Sequence, residues 1–283
     1  MKLTRGASIL LIPAICTFLL LLVLPMATVL NESFRLFIPG RIGSTANAPL
    51  TLQNYTELAK PAYIGFFLQT FWLGLIASVI AQLIAFPLAY YVARQPSETI
   101  RRLAIAGLVA LMFLSALVRV YSLELTFGST GLVRPIVSWF GLNTNSSLYV
   151  KILVLIGLLH YAVPMSAMVL IGTIQNVNPR LAEAAQSLGA SRLKSHLSVT
   201  VPLSKSGILS AFLVSYTLSI SAFVIPWILG KGRILFVSNL IYSRFSEVAN
   251  YPSGAAISIV MLILSLFVVY IISCMATPRW EQE

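Results

Sequence analysis

The sequence predicts an all-α membrane protein of six transmembrane helices, with a polar helix–turn–helix inserted between the fourth and the fifth. Composition sets the class: 58% of the 283 residues are hydrophobic and 10% are charged, where an ordinary soluble domain has about a quarter of its residues charged. Apolar runs long enough to cross a bilayer, about 20 residues as a helix, fall at about 7–30, 64–92, 103–125, 149–174, 207–229 and 254–275. Between the last residues of the fourth run and the first of the fifth lies the polar stretch Asn178 to Pro202, NPRLAEAAQSLGASRLKSHLSVTVP. No repeat, low-complexity segment or soluble domain interrupts this pattern, so residues 1–283 read as one transmembrane domain.

Lys2 and Arg5 precede the first run, Ala7 to Leu30. It is too long for the apolar region of a signal peptide, about 7–15 residues, and the nearest small-residue site, Ala46-Asn47-Ala48, is far downstream. The run is therefore expected to be a retained helix bent at Pro13 and Pro25. Residues 31–63 are polar and rich in turn formers, an external loop in which Leu50 to Tyr55 opens a short interfacial helix. The second run ends in a short basic loop with Arg94, Arg101 and Arg102. After the third comes a Gly, Ser and Asn-rich connection holding a short apolar piece, 132–142, which reads as a re-entrant or surface helix. The fifth run contains Pro226, a polar loop from Gly230 to Ser253 leads to the sixth, and a tail with Arg279 follows.

The polar stretch has its own punctuation. Asn178-Pro179 is a helix start, a capping side chain followed by proline at the first helical position. Leu181, Ala184, Ala185 and Leu188 recur at helical spacing, with Glu183 and Gln186 off their stripe. Gly189 stops that helix, Ser191 caps a second one carrying Leu193 and Leu197, and Pro202 marks its end or a kink. Without further context such a segment would be an amphipathic helix lying on lipid. The spacing Glu183-Ala184-Ala185, Gly189, Val199, Val201, Pro202 nevertheless resembles the "EAA" loop of ATP-binding-cassette importer permeases. That resemblance implies a cytoplasmic coupling loop, 178–202, in which Glu183, Ala184, Ala185, Gly189 and Pro202 dock a separate ATPase subunit.

Further stretches are similar to the spermidine/putrescine class of these permeases: Arg119-Val120-Tyr121, with Leu123 where the class often has Trp; Phe223-Val224-Ile225-Pro226 with Leu229-Gly230; Asn239-Leu240-Ile241; and Asn250 to Ala256. The resemblance covers nearly the whole chain. It implies a binding-protein-dependent importer permease of the MetI-like fold that works by alternating access. Its implied partners are a dimer of cytoplasmic ATP-binding subunits, a second related permease, an extracytoplasmic solute-binding protein and membrane lipid. ATP and magnesium are then used by the ATPase, and no cofactor is bound by this chain.

The resemblance implies the bacterial inner membrane, and the charge pattern fits both termini on its cytoplasmic side. Ten of the 19 Lys and Arg fall on the side of the termini and the polar stretch, a weak bias that rests on the N-terminal pair and the tight second-to-third loop. The net charge of +11 is scattered among loops and forms no basic patch with stacking aromatics, so nucleic acid is not expected. Every acidic residue is glutamate, which excludes paired or metal-ligating aspartates. Cys16 and Cys274 have no metal spacing, and Gly230-Lys231-Gly232 is too short for a phosphate-binding loop. The chain is therefore expected to be non-catalytic.

The substrate-pathway candidates are Arg119, Tyr121, Glu124, Phe223, Pro226 and Trp227. Arg119 and Glu124 either face the pathway or neutralise one another. Pro226 frees backbone carbonyls that need protein or water partners, or simply kinks the span. His160, at membrane depth, is a proton-relay candidate or a satisfied packing residue, and His196 is expected at the surface. Polyamine carriers tend to place an acid where Ala222 stands, and the outer segments hold Arg119, Arg134, Lys231, Arg233 and Arg244 against Glu124 and Glu247. This charge balance favours a small organic anion or zwitterion over a polyamine, with Arg119 facing it. An intramembrane enzyme built on His160 or Glu124, and a channel or sensor with a partner-docking loop, are the competing readings.

Overall fold

The computed structural model describes residues 13, 15–40, 48–141 and 143–276, and side chains as far as Cys274. Lys2, Arg5, Ala7 to Ile12, Ala46-Asn47, Leu142 and Arg279 lie outside the described residues. Among those described the chain is helical without strands, apart from an isolated bridge between Arg35 and Leu50. The helices are α1 (Ile15–Ser33), α2 (Gln53–Leu58), α3 (Pro61–Ala93), α4 (Glu98–Phe113), α5 (Ala116–Phe127), α6 (Arg134–Trp139) and α7 (Ser147–Asn176). They continue as α8 (Arg180–Ser187), α9 (Arg192–Leu203), α10 (Lys205–Ile220), α11 (Val224–Leu229), α12 (Val237–Tyr242) and α13 (Tyr251–Ala276). Four of them, α1, α3, α7 and α13, are long and apolar enough to cross a membrane, and the number is six if each of two bent pairs is one span.

The bends are where the structure departs from the sequence reading. The expected third span, 103–125, is two helices, α4 and α5, meeting at 92°. Arg101 and Arg102 sit on α4 and not in the preceding loop, which is confined to 94–97 and caps α4 through Ser97. α9 and α10 meet at 74° across Ser204. The fifth run breaks at Ser221–Phe223, between α10 and α11, and not at Pro226. Pro226 is the third residue of α11, where its missing N–H has no intrahelical partner to lose. The expected loop 230–253 carries α12 and the π-helical turn Ser243–Glu247.

Two compact units divide the described residues, one within Met1–Gly65 and Leu240–Leu264, the other within Phe66–Asn239 and Ser265–Glu283. In the first, Asn54 ties the end of α1 to α2: its amide donates to the carbonyls of Ser33 and Arg35, both at 2.9 Å. Ser33 and the Tyr55 hydroxyl are 2.6 Å apart. None of the apolar window of α1 is buried within the chain, so its apolar side chains face outward all round.

The second unit is organised on α3 and α7. On α3, Ala77, Ala81, Ala85 and Ala89 are all fully buried at a spacing of four, while Leu68, Trp72, Val79, Ile84 and Leu88 point outward. This inverts a soluble helix. Lipid is as apolar as leucine, so association inside a bilayer comes from close approach, and small residues supply it. One cluster gathers Leu73, Val120, Leu153, Leu158, Leu229 and Phe236, and a second gathers Ala89, Leu108, Ala167, Leu170, Ile174 and Ala211. Gln82 crosses from α3 to α7, donating to Ser166 Oγ at 3.1 Å.

Filling the alanine face should be felt and filling the lipid face should not. Ala85→Leu is expected to destabilise by about 1–3 kcal/mol through overpacking, and Val79→Ala, on the outward face, to stay within about 0.5 kcal/mol. Thermal unfolding of the purified protein in detergent checks the pair.

Candidate functional site

The polar stretch folds as two short helices joined by a tight turn, and each joint is locally encoded. Asn178 Oδ1 accepts from the Arg180 amide at 3.0 Å, across Pro179. Gly189 has φ +91°, the left-handed conformation in which a side chain costs roughly 1–2 kcal/mol. Ser191 Oγ accepts from the Lys194 amide at 3.3 Å. Long-range contacts then fix the pair. The buried Ser195 hydroxyl donates to the Ala182 carbonyl at 2.7 Å, so α8 presses its Ala182 side inward. The Leu181–Leu188 stripe points the other way. Leu188 is 90% exposed, and Glu183, Ala184 and Gly189 are exposed beside it, with Ala185 half-buried. Pro202 is exposed on α9, whose middle, His196–Thr200, is a π-helical stretch. His196 is half-buried rather than at the surface: its ring meets Tyr90 edge-on, centroids 4.6 Å apart, and Nδ1 lies 3.3 Å from Thr200 Oγ1.

Of the pathway candidates, Arg119 and Phe223 sit at the two helix breaks. Where α4 ends, the Leu111 and Leu114 carbonyls receive the Arg119 guanidinium, whose carbon lies 5.1 Å from the centre of the Tyr161 ring. Arg119 is only 2% exposed, its Nη2 donor is committed to the break, and it does not line the adjoining cavity. At Ser221–Phe223 the Ala222 carbonyl accepts from Ser238 Oγ at 2.7 Å and the Phe223 carbonyl accepts from Asn239 Nδ2 at 3.0 Å. Asn239 is itself anchored, its Oδ1 accepting from the Phe236 amide at 2.9 Å. The carbonyls that need partners are thus found, and protein side chains supply them.

Between the breaks is a cavity of ≈ 220 Å³ lined by Ala116, Tyr161, Ser219, Ser221, Ala222 and Phe223, with aliphatic neighbours. Gly157 lets α11 approach α7 beside it: a Cβ there would stand 2.8 Å from Ile225 and Leu229. Phe223 stacks on Trp227, centroids 5.6 Å apart. Pro226 is buried, while Tyr121 is exposed and away from the cavity. Glu124 does not neutralise Arg119. Its carboxylate pairs with Lys231 at 2.9 Å, and Lys231, at φ +50°, also donates to Ser129 Oγ at 2.9 Å. The cavity therefore presents hydroxyls and aromatic faces and no carboxylate among the described residues. His160 is half-buried, and its buried Nδ1 has no hydrogen-bond partner among the described residues.

A profile of the family described as "Binding-protein-dependent transport system inner membrane component" matches residues 85–282. The chain belongs to this family. It is a multi-pass ATP-binding-cassette importer permease, a non-catalytic subunit whose ATP hydrolysis belongs to a separate polypeptide. Among curated relatives, the spermidine/putrescine transport system permease protein PotB of Escherichia coli (strain K12) is 28% identical over 216 residues, 76% of this chain and 78% of PotB. PotB of Haemophilus influenzae is 29% identical over 240 residues, 83% and 84% of the two chains. The fold also matches a solved bacterial transporter involved in the import of the acidic polysaccharide alginate, with TM-score 0.77 and 19% identity over 98% of this chain and 96% of that one.

Sequence reasoning missed Ser238, and met Asn239 only as part of Asn-Leu-Ile. Two adjacent polar residues in a short helix following a proline-bearing span were the available signal. Asn239→Leu removes a donor from the break and an acceptor from the Phe236 amide, at a cost of about 1–3 kcal/mol for the buried groups left unpaired. Uptake by the assembled transporter is expected to fall at least tenfold while ATPase subunits still co-purify, because the knob is untouched.

Proposed function

We propose that the chain is a permease subunit of an ATP-driven importer of the spermidine/putrescine-like class, passing a small charged solute from a binding protein to the cytoplasm by alternating access. A dimer of cytoplasmic ATP-binding subunits, using ATP and magnesium, grips the knob. A second, related permease completes the pathway, and both termini lie on the cytoplasmic side in the inner membrane. The observation that carries the coupling role is the knob itself, which is rigidly capped while Leu181, Leu188, Glu183 and Ala184 stay exposed. An apolar stripe held outward with a carboxylate beside it fits a partner groove that has a basic residue. The names of the relatives support the class.

A specific observation favours a second reading of the substrate. The cavity has no carboxylate, and Glu124 is engaged by Lys231. A cation with two or more amines would find no counter-charge here, and each uncompensated charge in a poorly hydrated site costs several kcal/mol. A small organic anion or zwitterion meets the Tyr161 ring and the Ser219 and Ser221 hydroxyls instead, with the Arg119 charge behind Tyr161. The polyamine reading then requires the second permease to supply the carboxylates.

Two measurements test these readings separately. Glu183→Arg should leave the chain inserted but abolish ATPase co-purification and uptake. Normal values of both would show that the knob is not the coupling element. Transporter reconstituted with its binding protein should take up labelled anions or zwitterions in a saturable, ATP-dependent way, with putrescine and spermidine at background. Polyamine uptake unaffected by Glu124→Gln and Arg119→Ala would overturn the anion reading and leave the coupling role standing.

A further inference from the structure

At the knob end of α3 two cavities of opposite character adjoin. One, ≈ 650 Å³, is polar and is lined by Arg94, Arg101, Arg192, Glu183, Gln186 and His196, among others. The other, ≈ 510 Å³, is a groove along Leu83, Phe86, Pro87, Leu193, Leu197 and Ile208. Tyr90 and His196 line both and meet ring to ring at 4.6 Å, so they form a common wall.

The polar cavity has a surplus of positive charge. Three guanidiniums face one carboxylate, Glu183, and none of the three is in an ion pair among the described residues. Arg102, next in sequence, is already engaged by Glu98 at 2.6 Å. Arg94 donates through Nη2 to the Val177 carbonyl at 2.5 Å, yet its Nε is buried with no partner among the described residues. A buried unpaired donor among uncompensated cations calls for an anion. The residue types at this end of α3 fit the passage of a membrane helix from hydrocarbon to head groups. α3 has 33 residues, about 50 Å of helix against about 30 Å of hydrocarbon, and it ends in Tyr90, Tyr91 and Arg94, the interfacial residue types.

An acidic patch on a protein would satisfy the arginines and leave the groove open, and an apolar helix would fill the groove and leave the arginines bare. A single amphipathic anion satisfies both. We propose that this is a binding site for an anionic phospholipid, its phosphate among Arg94, Arg101 and Arg192 and an acyl chain along Leu83, Phe86, Leu197 and Ile208. Since Gln186, Arg192 and His196 belong to the knob, the bound lipid braces the knob against α3, and the coupling element becomes sensitive to the charge of its leaflet.

The test is lipid retention by the intact transporter. Complex purified in mild detergent is exchanged with equal phosphatidylglycerol and phosphatidylcholine of matched chains, washed, and read by native mass spectrometry. Glycerol 3-phosphate serves as a competitor that has the phosphate and no chain. Phosphatidylglycerol should be retained preferentially and resist glycerol 3-phosphate. Each of Arg94→Gln and Arg101→Gln should weaken retention about fivefold, and the pair roughly 25-fold, as expected for one basic residue at a time against an anionic lipid. Arg102→Gln should leave it unchanged. Equal retention of the two lipids by the unaltered complex overturns the proposal, with no variant needed. Displacement by glycerol 3-phosphate overturns it in favour of a free-phosphate site. Full lipid retention by Arg94→Gln/Arg101→Gln with loss of the ATPase subunits overturns it in favour of an acidic protein partner.

Discussion

A backbone carbonyl facing the hydrocarbon of a bilayer finds no partner, so a membrane helix can be interrupted only where protein or a water-filled cavity supplies the partners that the break removes. This chain interrupts two of its apolar runs, between α4 and α5 and between α10 and α11, and spends polar side chains on both. The first interruption takes the Arg119 guanidinium, and the second takes Ser238 and Asn239. Tyr149 adds a donor at the end of α5, bonding the Phe127 carbonyl at 2.5 Å. The breaks in turn open the cavity, because helices that stop within the apolar layer leave volume at their ends. Tyr161 joins two of these roles, forming part of the cavity wall and carrying the Arg119 cation over its ring.

The remaining architecture holds that broken centre in place. A continuous helix such as α3 can be the frame because four alanines at a spacing of four let its neighbours approach closely, while Leu68, Trp72, Val79, Ile84 and Leu88 point outward. The knob follows a different logic. It carries little apolar burial of its own and gains its rigidity from caps, one left-handed glycine and the Ser195 contact, so its outward face can stay fixed with nothing covering it. A rigid projection with an exposed leucine stripe can transmit motion to helices it is joined to, and α9 runs into α10 across the Ser204 bend. The knob and the cavity are thus connected along one stretch of chain, from Arg180 to the break at Ser221–Phe223.

Where a feature is set by neighbours in sequence, it was legible. Composition and run length revealed the membrane class, and Asn178, Gly189 and Ser191 revealed the knob, because each cap acts within four residues. The bend between α4 and α5 was hidden in a run with no proline, whose one glycine, Gly107, lies a full two turns before it; its stabiliser is an arginine whose partners are backbone atoms. Pro226 drew attention to its own position, but proline is tolerated in a first turn, so the break lies just before it. Arg119 and Glu124 looked like partners. Five residues apart on a helix they are separated by about 140° around the axis, and the cation that Glu124 meets, Lys231, comes from a distant turn. The same distance in sequence hid the Tyr90–His196 contact and the burial of Ala182.

The coupling role proposed for the knob requires that the exposed stripe of α8 be gripped by the ATP-binding partner of a transport complex. Cys16 and Cys274 are both exposed, so they would first be replaced by serine and a single cysteine placed at Leu188 for photo-crosslinking in native membranes. The account predicts one dominant adduct, to an ATP-binding subunit, whose yield changes when ATP and magnesium are added. Adducts to lipid alone, or to no polypeptide in any nucleotide state, would contradict it.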